Sequence, residues 1–242
     1  MALHFLVDDA PLTAEAGDLV TLGGAEAHHA AVVRRVRVGE AVTLGDGKGA
    51  WLGGTVASVS PKQVEVRIDE RHDVPPPAQE LILVQALAKG DRDELAVQAA
   101  TELGVDGIVP WQSARSVSRW DGAKAAKGVA RWKSIVREAA KQAHRAWVPS
   151  VQEPRTTAQL AADDALVLVL EPTAPVPLSQ IDLAGADRIV VVVGPEGGIT
   201  PEELAALTAA GARLVRLGET VLRTSTAGPA ALAVVSARLG RW

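Results

Sequence analysis

Two loops near the C-terminus carry the residue types best suited to chemistry. Gly194-Pro195-Glu196-Gly197-Gly198-Ile199-Thr200 follows the apolar run 189–193, and Leu217-Gly218-Glu219-Thr220-Val221-Leu222-Arg223-Thr224-Ser225-Thr226-Ala227 follows 214–217. Each begins where a buried strand would end, and open α/β sheets bind ligands at such ends. Two of them this close in sequence point to one small-molecule site made largely of backbone. The first loop leads into a helix, with Thr200 as N-cap, Pro201 as first helical residue and Glu203 completing a capping box. Glu202 and Glu203 therefore already occupy the positive end of the helix dipole. With Glu196 beside them and no lysine in the loop, phosphate binding is disfavoured. A ligand that is neutral or cationic where it meets the loop fits better. Taken alone, Gly197-Gly198 could be only a tight turn; the second loop favours a site.

Arg223 is the first catalytic candidate, because a guanidinium stabilises developing negative charge without losing its own proton. The plainer alternative is a surface ion pair with Glu219. Glu196 keeps three readings: general base, contact to a cationic part of a ligand, or shaper of the turn. Glu138, Gln142 and Arg145 are spaced to share one helix face. His144 has the intrinsic pKa for proton transfer, although a lone histidine at a helix end is more often structural. Glu102, after the apolar stripe of its helix, is equally well explained as structural.

These residues need elements to hold them. Residues 1–72 read as mostly β: 41–44 and 51–59 flank an Asp46-Gly47 hairpin signal, and 63–68 alternates as a further strand. Asp73-Val74-Pro75-Pro76-Pro77 marks a boundary, giving a domain at 1–73, a proline-rich linker at 74–80 and a second domain at 81–242. From 81 onward strands alternate with helices. Strands are expected at 81–87, 107–111, 165–170, 188–193 and 212–217, and helices at 91–103, 123–147, 201–210 and 227–239. Continuous Val/Leu/Ile runs indicate strands buried on both faces, as in a parallel sheet.

The chain has 242 residues, 48% of them hydrophobic, which is ample for a packed core. No stretch approaches a membrane span, and the N-terminus, with Asp8-Asp9, has acids where a signal peptide would have a basic start, so a cytoplasmic protein is expected. Cysteine is absent, which removes disulfides, thiolate-ligated metal and any cysteine nucleophile; no metal site is expected. Net charge is −4, but its distribution is uneven. Arg115, Arg119, Lys124, Lys127, Arg131, Lys133, Arg137, Lys141 and Arg145 stand against only Asp121 and Glu138 within 115–145, and Arg34, Arg35 and Arg37 form a second cluster. Such asymmetry can mark a polyanion surface, while a solvated helix face is the commoner alternative. Trp51, Trp111 and Trp120 could stack on a base, although tryptophans are more usually buried anchors.

The motifs resemble those of the RsmE family, 16S rRNA uridine-N3 methyltransferases of the SPOUT class. GPEGGITPEE at 194–203 and LGETVLRTSTA at 217–227 stand in that family's order and spacing, with matching segments at 100–105, 138–145 and 28–39. The resemblance implies an α/β fold: a PUA-like β-barrel followed by a SPOUT domain with a C-terminal trefoil knot. It also implies a homodimer and S-adenosylmethionine as cofactor. The cofactor would lie against Leu170, Gly194, Pro195, Glu196, Gly198, Leu217, Gly218, Val221, Leu222, Thr224, Thr226 and Ala227. Arg223 would stand near the transferred methyl group, with Glu196 as the second catalytic candidate. RNA, namely 16S rRNA within the small ribosomal subunit, would meet Arg34, Arg35, Arg37, Arg115, Arg119, Glu138, Gln142 and Arg145. Attack from a ring nitrogen needs no cysteine, unlike methylation at uracil C5. Ser225 stands where relatives often carry glutamate, so a role for that glutamate does not carry over. The alternatives are another RNA target or atom, such as a ribose 2′-oxygen, or a non-catalytic RNA-binding or ribosome-assembly module.

Overall fold

The computed structural model describes residues 2–7 and 12–242, so the Asp8-Asp9 pair lies outside the described residues. The chain forms two compact units, Met1–Pro76 with Ala140–Val148, and Pro77–Ala139 with Pro149–Trp242. The first division falls between Pro76 and Pro77. The assignment of 140–148 to the N-terminal unit was not legible in the sequence.

The N-terminal unit is a five-stranded sheet in the order β1-β3-β4-β5-β2. Its strands are β1 (Leu3–Leu6), β2 (Leu19–Leu22), β3 (Ala41–Gly45), β4 (Ala50–Ser60) and β5 (Gln63–Asp73). Alternate residues point inward, and Val42, Leu44, Leu52, Val56, Val64, Val66 and Ile68 form its core with Phe5. The β3–β4 turn is held by Asp46, whose Oδ1 accepts the N–H groups of Lys48 (2.7 Å) and Ala50 (3.2 Å). One stretch departs from the β reading: α1 (Gly24–His28) runs into a π-helical turn at His29–Val33. Residues 140–148 belong to this unit through real bonds. Gly49 N–H donates to Ala146 O (3.0 Å), Val148 N–H to Gly47 O (2.9 Å), and the Trp147 indole to Val74 O (2.9 Å).

The C-terminal unit is a six-stranded, all-parallel sheet in the order β11-β9-β10-β6-β7-β8. Its strands are β6 (Glu80–Ala86), β7 (Gly107–Trp111), β8 (Ser150–Val151), β9 (Leu166–Leu170), β10 (Arg188–Val193) and β11 (Arg213–Val215). The helices are α2 (Arg92–Glu102), α3 (Ala123–Gln142), α4 (Thr157–Ala161), α5 (Pro201–Ala209) and α6 (Thr224–Arg238). Strand alternation assigns the two faces. Ile82, Val84, Val190 and Val192 pack with Leu160 of α4 and Leu207 of α5. Leu83 and Val193 point the other way, where a Cβ on Gly228 of α6 would stand 3.0 Å and 3.4 Å from their methyl groups. That glycine lets α6 lie close on the sheet, and α6 also packs against α2.

Two helix boundaries differ from expectation. The long helix ends at Gln142, not at 147. His144 takes the left-handed conformation (φ 53°), and the N–H groups of His144 and Arg145 return to Lys141 O (3.2 Å) and Ala140 O (2.9 Å). This is a Schellman stop with histidine in the place glycine usually holds, so no glycine announced it. Arg145 therefore lies beyond the helix and does not share a helical face with Glu138 and Gln142. The last helix begins at Thr224, not 227, with Arg223 as N-cap residue.

Candidate functional site

The parallel strands β11, β9 and β10 are neighbours and end on the same edge, so the segments leaving them converge. They enclose a cavity of about 440 Å³. From β9 it takes Leu170, Glu171 and Pro172. The β10 segment supplies Gly194, Pro195, Glu196, Gly198 and Ile199. The β11 segment supplies Leu217, Gly218, Val221, Leu222 and Arg223, followed by Thr224 and Ala227 of α6. Every residue that the resemblance assigned to a cofactor lines this one cavity except Thr226. Thr226 is exposed, and its N–H is spent on Arg223 O (2.8 Å) in the first turn of α6.

Local bonding explains the shape of the loops. The capping box of α5 is present: Glu203 N–H donates to Thr200 Oγ1 and Thr200 N–H to Glu203 Oε2, both at 3.2 Å. Glu203 is turned inward and also accepts Ala114 N–H (2.9 Å) and the Thr157 hydroxyl (2.8 Å). Gly198 has φ +73°, a conformation glycine adopts without strain, and a Cβ on Gly194 would meet Ile199 at 2.7 Å. Gly218 is different. Its backbone is not left-handed and an added Cβ would meet no protein atom, so nothing within the chain demands glycine there. The space it leaves belongs to the cavity. Among the described residues, the peptide groups of 217–222 have no backbone hydrogen-bond partner.

A buried relay ties the wall together. Gln85 of β6 donates through Nε2 to Thr224 Oγ1 (3.0 Å), and the Thr224 hydroxyl donates to Gly194 O (2.8 Å). Gln85 Oε1 is buried and has no partner among the described residues. Neither Gln85 nor Arg92 was singled out in the sequence. A glutamine inside the apolar run Leu81–Leu87 was the signal available for the first. For the second, it was the position just past the end of that strand.

Arg92 lines the cavity and pairs with Glu196, Nη1 to Oε1 at 2.8 Å; the Lys89 N–H reaches the same oxygen at 3.2 Å. Burial pushes the Glu196 carboxyl up, but N–H donors from its own backbone, Arg92 and Lys89 outweigh this and hold it below the usual carboxylate range. Arg223 is exposed and lines the cavity, and its guanidinium has no partner among the described residues, Glu219 included. Arg216 staples the loop after β9 by donating to Ala174 O (2.9 Å) and to Pro175 O.

The basic candidates are dispersed. Arg34, Arg35 and Arg37 are exposed on the N-terminal unit, beside the exposed Val33 and Val38; Arg35 itself has φ 55°. In the C-terminal unit, Arg115 donates to Gly197 O (2.9 Å) and so braces the β10 loop, while Arg119 reaches Ala114 O at 3.4 Å. Glu138 and Gln142 are exposed and Arg145 is half-buried. Of the tryptophans, Trp111 is fully buried, Trp120 packs edge-on against Trp132 (5.1 Å), and Trp51 stacks on His4 (4.2 Å). Glu102 is exposed and accepts from Gln98 one turn earlier. Among the described residues, no helix is long and apolar enough to cross a membrane, and no cluster of three or more His, Asp or Glu is placed to hold a metal ion.

Comparison with known proteins agrees with this geometry. The RNA methyltransferase domain family matches residues 75–236, and the RNA methyltransferase PUA domain family matches 22–69. The chain is 45% identical to the ribosomal RNA small subunit methyltransferase E of Mycobacterium bovis, over 100% of this chain and 94% of the relative. Identity to the Bacillus subtilis protein of the same name is 31%, over 89% of each. The ribosomal RNA small subunit methyltransferase E of Neisseria gonorrhoeae, solved bound to S-adenosyl methionine, superposes with a TM-score of 0.87 at 30% identity and 98% coverage of both chains. A Legionella pneumophila protein solved in complex with the same cofactor gives 0.85 at 30% identity, again covering 98% of both. The fold is that of a SPOUT-type α/β methyltransferase domain with a parallel sheet, preceded in sequence by a PUA domain. Matched along its whole length in sequence and in structure, the chain belongs to the ribosomal RNA small subunit methyltransferase E family.

Proposed function

We propose that this chain methylates N3 of a specific uridine in 16S ribosomal RNA, with S-adenosylmethionine as methyl donor. The observation that carries the reading is the cavity at the ends of β9, β10 and β11. Its residues fit the cofactor: Leu170, Ile199, Leu217 and Leu222 offer apolar surface for a purine, and the unpaired peptide groups of 217–222 offer bonds to its edge. Gly218 leaves open the space a side chain would fill. Glu171 and Glu196 on the lining suit a ligand that carries positive charge. When bound, S-adenosylmethionine supplies an electrophilic sulfonium methyl group.

The chain's own residues do the rest. Uracil N3 must lose its proton for attack, and the resulting negative charge spreads onto O2 and O4. Arg223, charged and unpaired at the cavity, is suited to stabilise that charge. Glu196 acts as a brace and not as proton acceptor: Arg92 and Lys89 both bond its Oε1 and its proton affinity is lowered. The apolar walls exclude water and align the reacting groups. Arg34, Arg35 and Arg37 hold RNA phosphates, so binding falls steeply with salt. Arg115, beside the β10 loop, and Arg119 extend the RNA surface, and the enzyme acts as a cytoplasmic homodimer on the small subunit.

The test is methyl transfer from labelled S-adenosylmethionine to small ribosomal subunits lacking the modification, with naked 16S RNA alongside. Label recovered as 3-methyluridine is the expected result. Label in another nucleoside, or none despite cofactor binding, would refute the assignment.

A further inference from the structure

The Arg92–Glu196 ion pair has more hydrogen-bonding capacity than it uses. Glu196 Oε1 takes both Arg92 Nη1 and Lys89 N–H, while Oε2 has no partner side chain among the described residues. Arg92 likewise keeps Nε and Nη2 unengaged among the described residues. Both residues line the cavity, and their side chains remain 44% and 26% exposed. The pair is held from behind. Asp93 is buried and accepts the N–H groups of Ala88 (3.1 Å) and Glu94 (2.9 Å), which pins the turn that Gly90 makes at φ +77°.

An arginine alone on a cavity wall suits an anion. An arginine with a carboxylate fixed beside it does not, because an anion drawn to one is repelled by the other. A zwitterion satisfies both, its carboxylate on the guanidinium and its ammonium on the free carboxylate oxygen. The α-amino-acid end of S-adenosylmethionine is such a group. Arg223, with no carboxylate partner, is instead matched to a net negative charge.

We infer that the Arg92–Glu196 pair is the subsite for the α-amino-acid end of the cofactor, with Arg92 taking the α-carboxylate and Glu196 the α-ammonium. The inference rests on the reading of the cavity as the S-adenosylmethionine site. It divides that cavity into an adenosine part, walled by Leu170, Ile199, Leu217 and Leu222, and an amino-acid part at Arg92 and Glu196.

Calorimetric titration with two probes tests it without catalysis. S-adenosylhomocysteine keeps the amino-acid end; 5′-methylthioadenosine lacks it. Arg92→Met should weaken the first by about tenfold or more and leave the second within about twofold, since only charge-assisted bonds to the amino-acid end are lost. Arg92→Lys should fall between, and Glu196→Gln should also weaken the first probe more than the second. Equal losses for both probes would overturn the inference, because Arg92 would then only support the loop. Unchanged affinity for both probes with weakened 16S RNA binding would overturn it in favour of a phosphate contact. If the wild-type protein bound neither probe, the cofactor reading itself would fail and this inference with it.

Discussion

Replacing Thr224 with valine removes one hydroxyl while keeping the side-chain shape, and the cost follows from its two bonds. The hydroxyl donates to Gly194 O at 2.8 Å and accepts from Gln85 Nε2 at 3.0 Å. Thr224 is 6% exposed and Gln85 0%, so water does not replace it. In the variant Gly194 O loses its donor outright, whereas Gln85 Nε2 keeps a bond to Ala86 O at 3.2 Å. A buried group left unpaired costs about 1–3 kcal/mol, so the variant should lose about 1–3 kcal/mol. Thr224→Ser keeps the hydroxyl and loses only a methyl group, worth about 1 kcal/mol. Urea unfolding is the assay, read as a shift of midpoint at unchanged slope. Gln85 sharpens the test. Its Oε1 is already unpartnered among the described residues, so Gln85→Met combined with Thr224→Val should cost less than the two single changes added together. S-adenosylhomocysteine affinity should fall with Thr224→Val, because Gly194 and Thr224 both line the cavity. A valine variant within about 0.5 kcal/mol of wild type, or a serine variant as damaged as the valine one, would refute the relay.

Three further outcomes are expected. Arg223→Ala should lower turnover by about a hundredfold or more with S-adenosylhomocysteine affinity unchanged, and normal turnover would remove Arg223 from the chemistry. Gly49→Ala should destabilise by about 2–4 kcal/mol, since the residue has φ +108° and its Cβ would stand 2.7 Å from Val74 O and 2.8 Å from the Trp147 ring. Gly17→Ala, at φ +98° with open space around it, should cost distinctly less in the same thermal unfolding series. His4 has its pKa lowered from 6.5 to about 4, by burial first and then by the charges of His144 and Lys141. The unfolded chain therefore takes up a proton below pH 6.5 that the folded chain refuses until about pH 4. Stability present above pH 6.5 should be lost as pH falls to 4, by up to about 1.4 kcal/mol per pH unit. His4→Phe, which keeps a ring on Trp51, should flatten that part of the profile; an unchanged slope would exclude His4 as its source.

What could be read in the sequence was what neighbouring residues encode. Apolar runs at 81–87, 165–170 and 188–193 marked strands buried on both faces, because a strand covered on two sides has no polar alternation. Thr200, Pro201 and Glu203 announced their helix, because a capping box is complete within four residues of backbone. The failures were local as well: His144 stops α3 in a backbone conformation histidine rarely takes, and Thr224–Thr226 carry no glycine or proline to show that α6 has already begun.

The two loops that build most of the cavity wall were visible as motifs, and the residues named in them for a cofactor line one cavity, Thr226 excepted. Gln85 and Arg92 were out of reach for a different reason. Gln85 meets Thr224 across 139 residues and Arg92 meets Glu196 across 104, because β6 pairs with β10 in the sheet. Periodicity and capping determined the longer strands and helices, and motif order determined the family. Only the tertiary structure decided strand neighbours, since burial is satisfied by any apolar partner. With that choice came the relay beneath the cavity, the ion pair on its wall and the open space over Gly218.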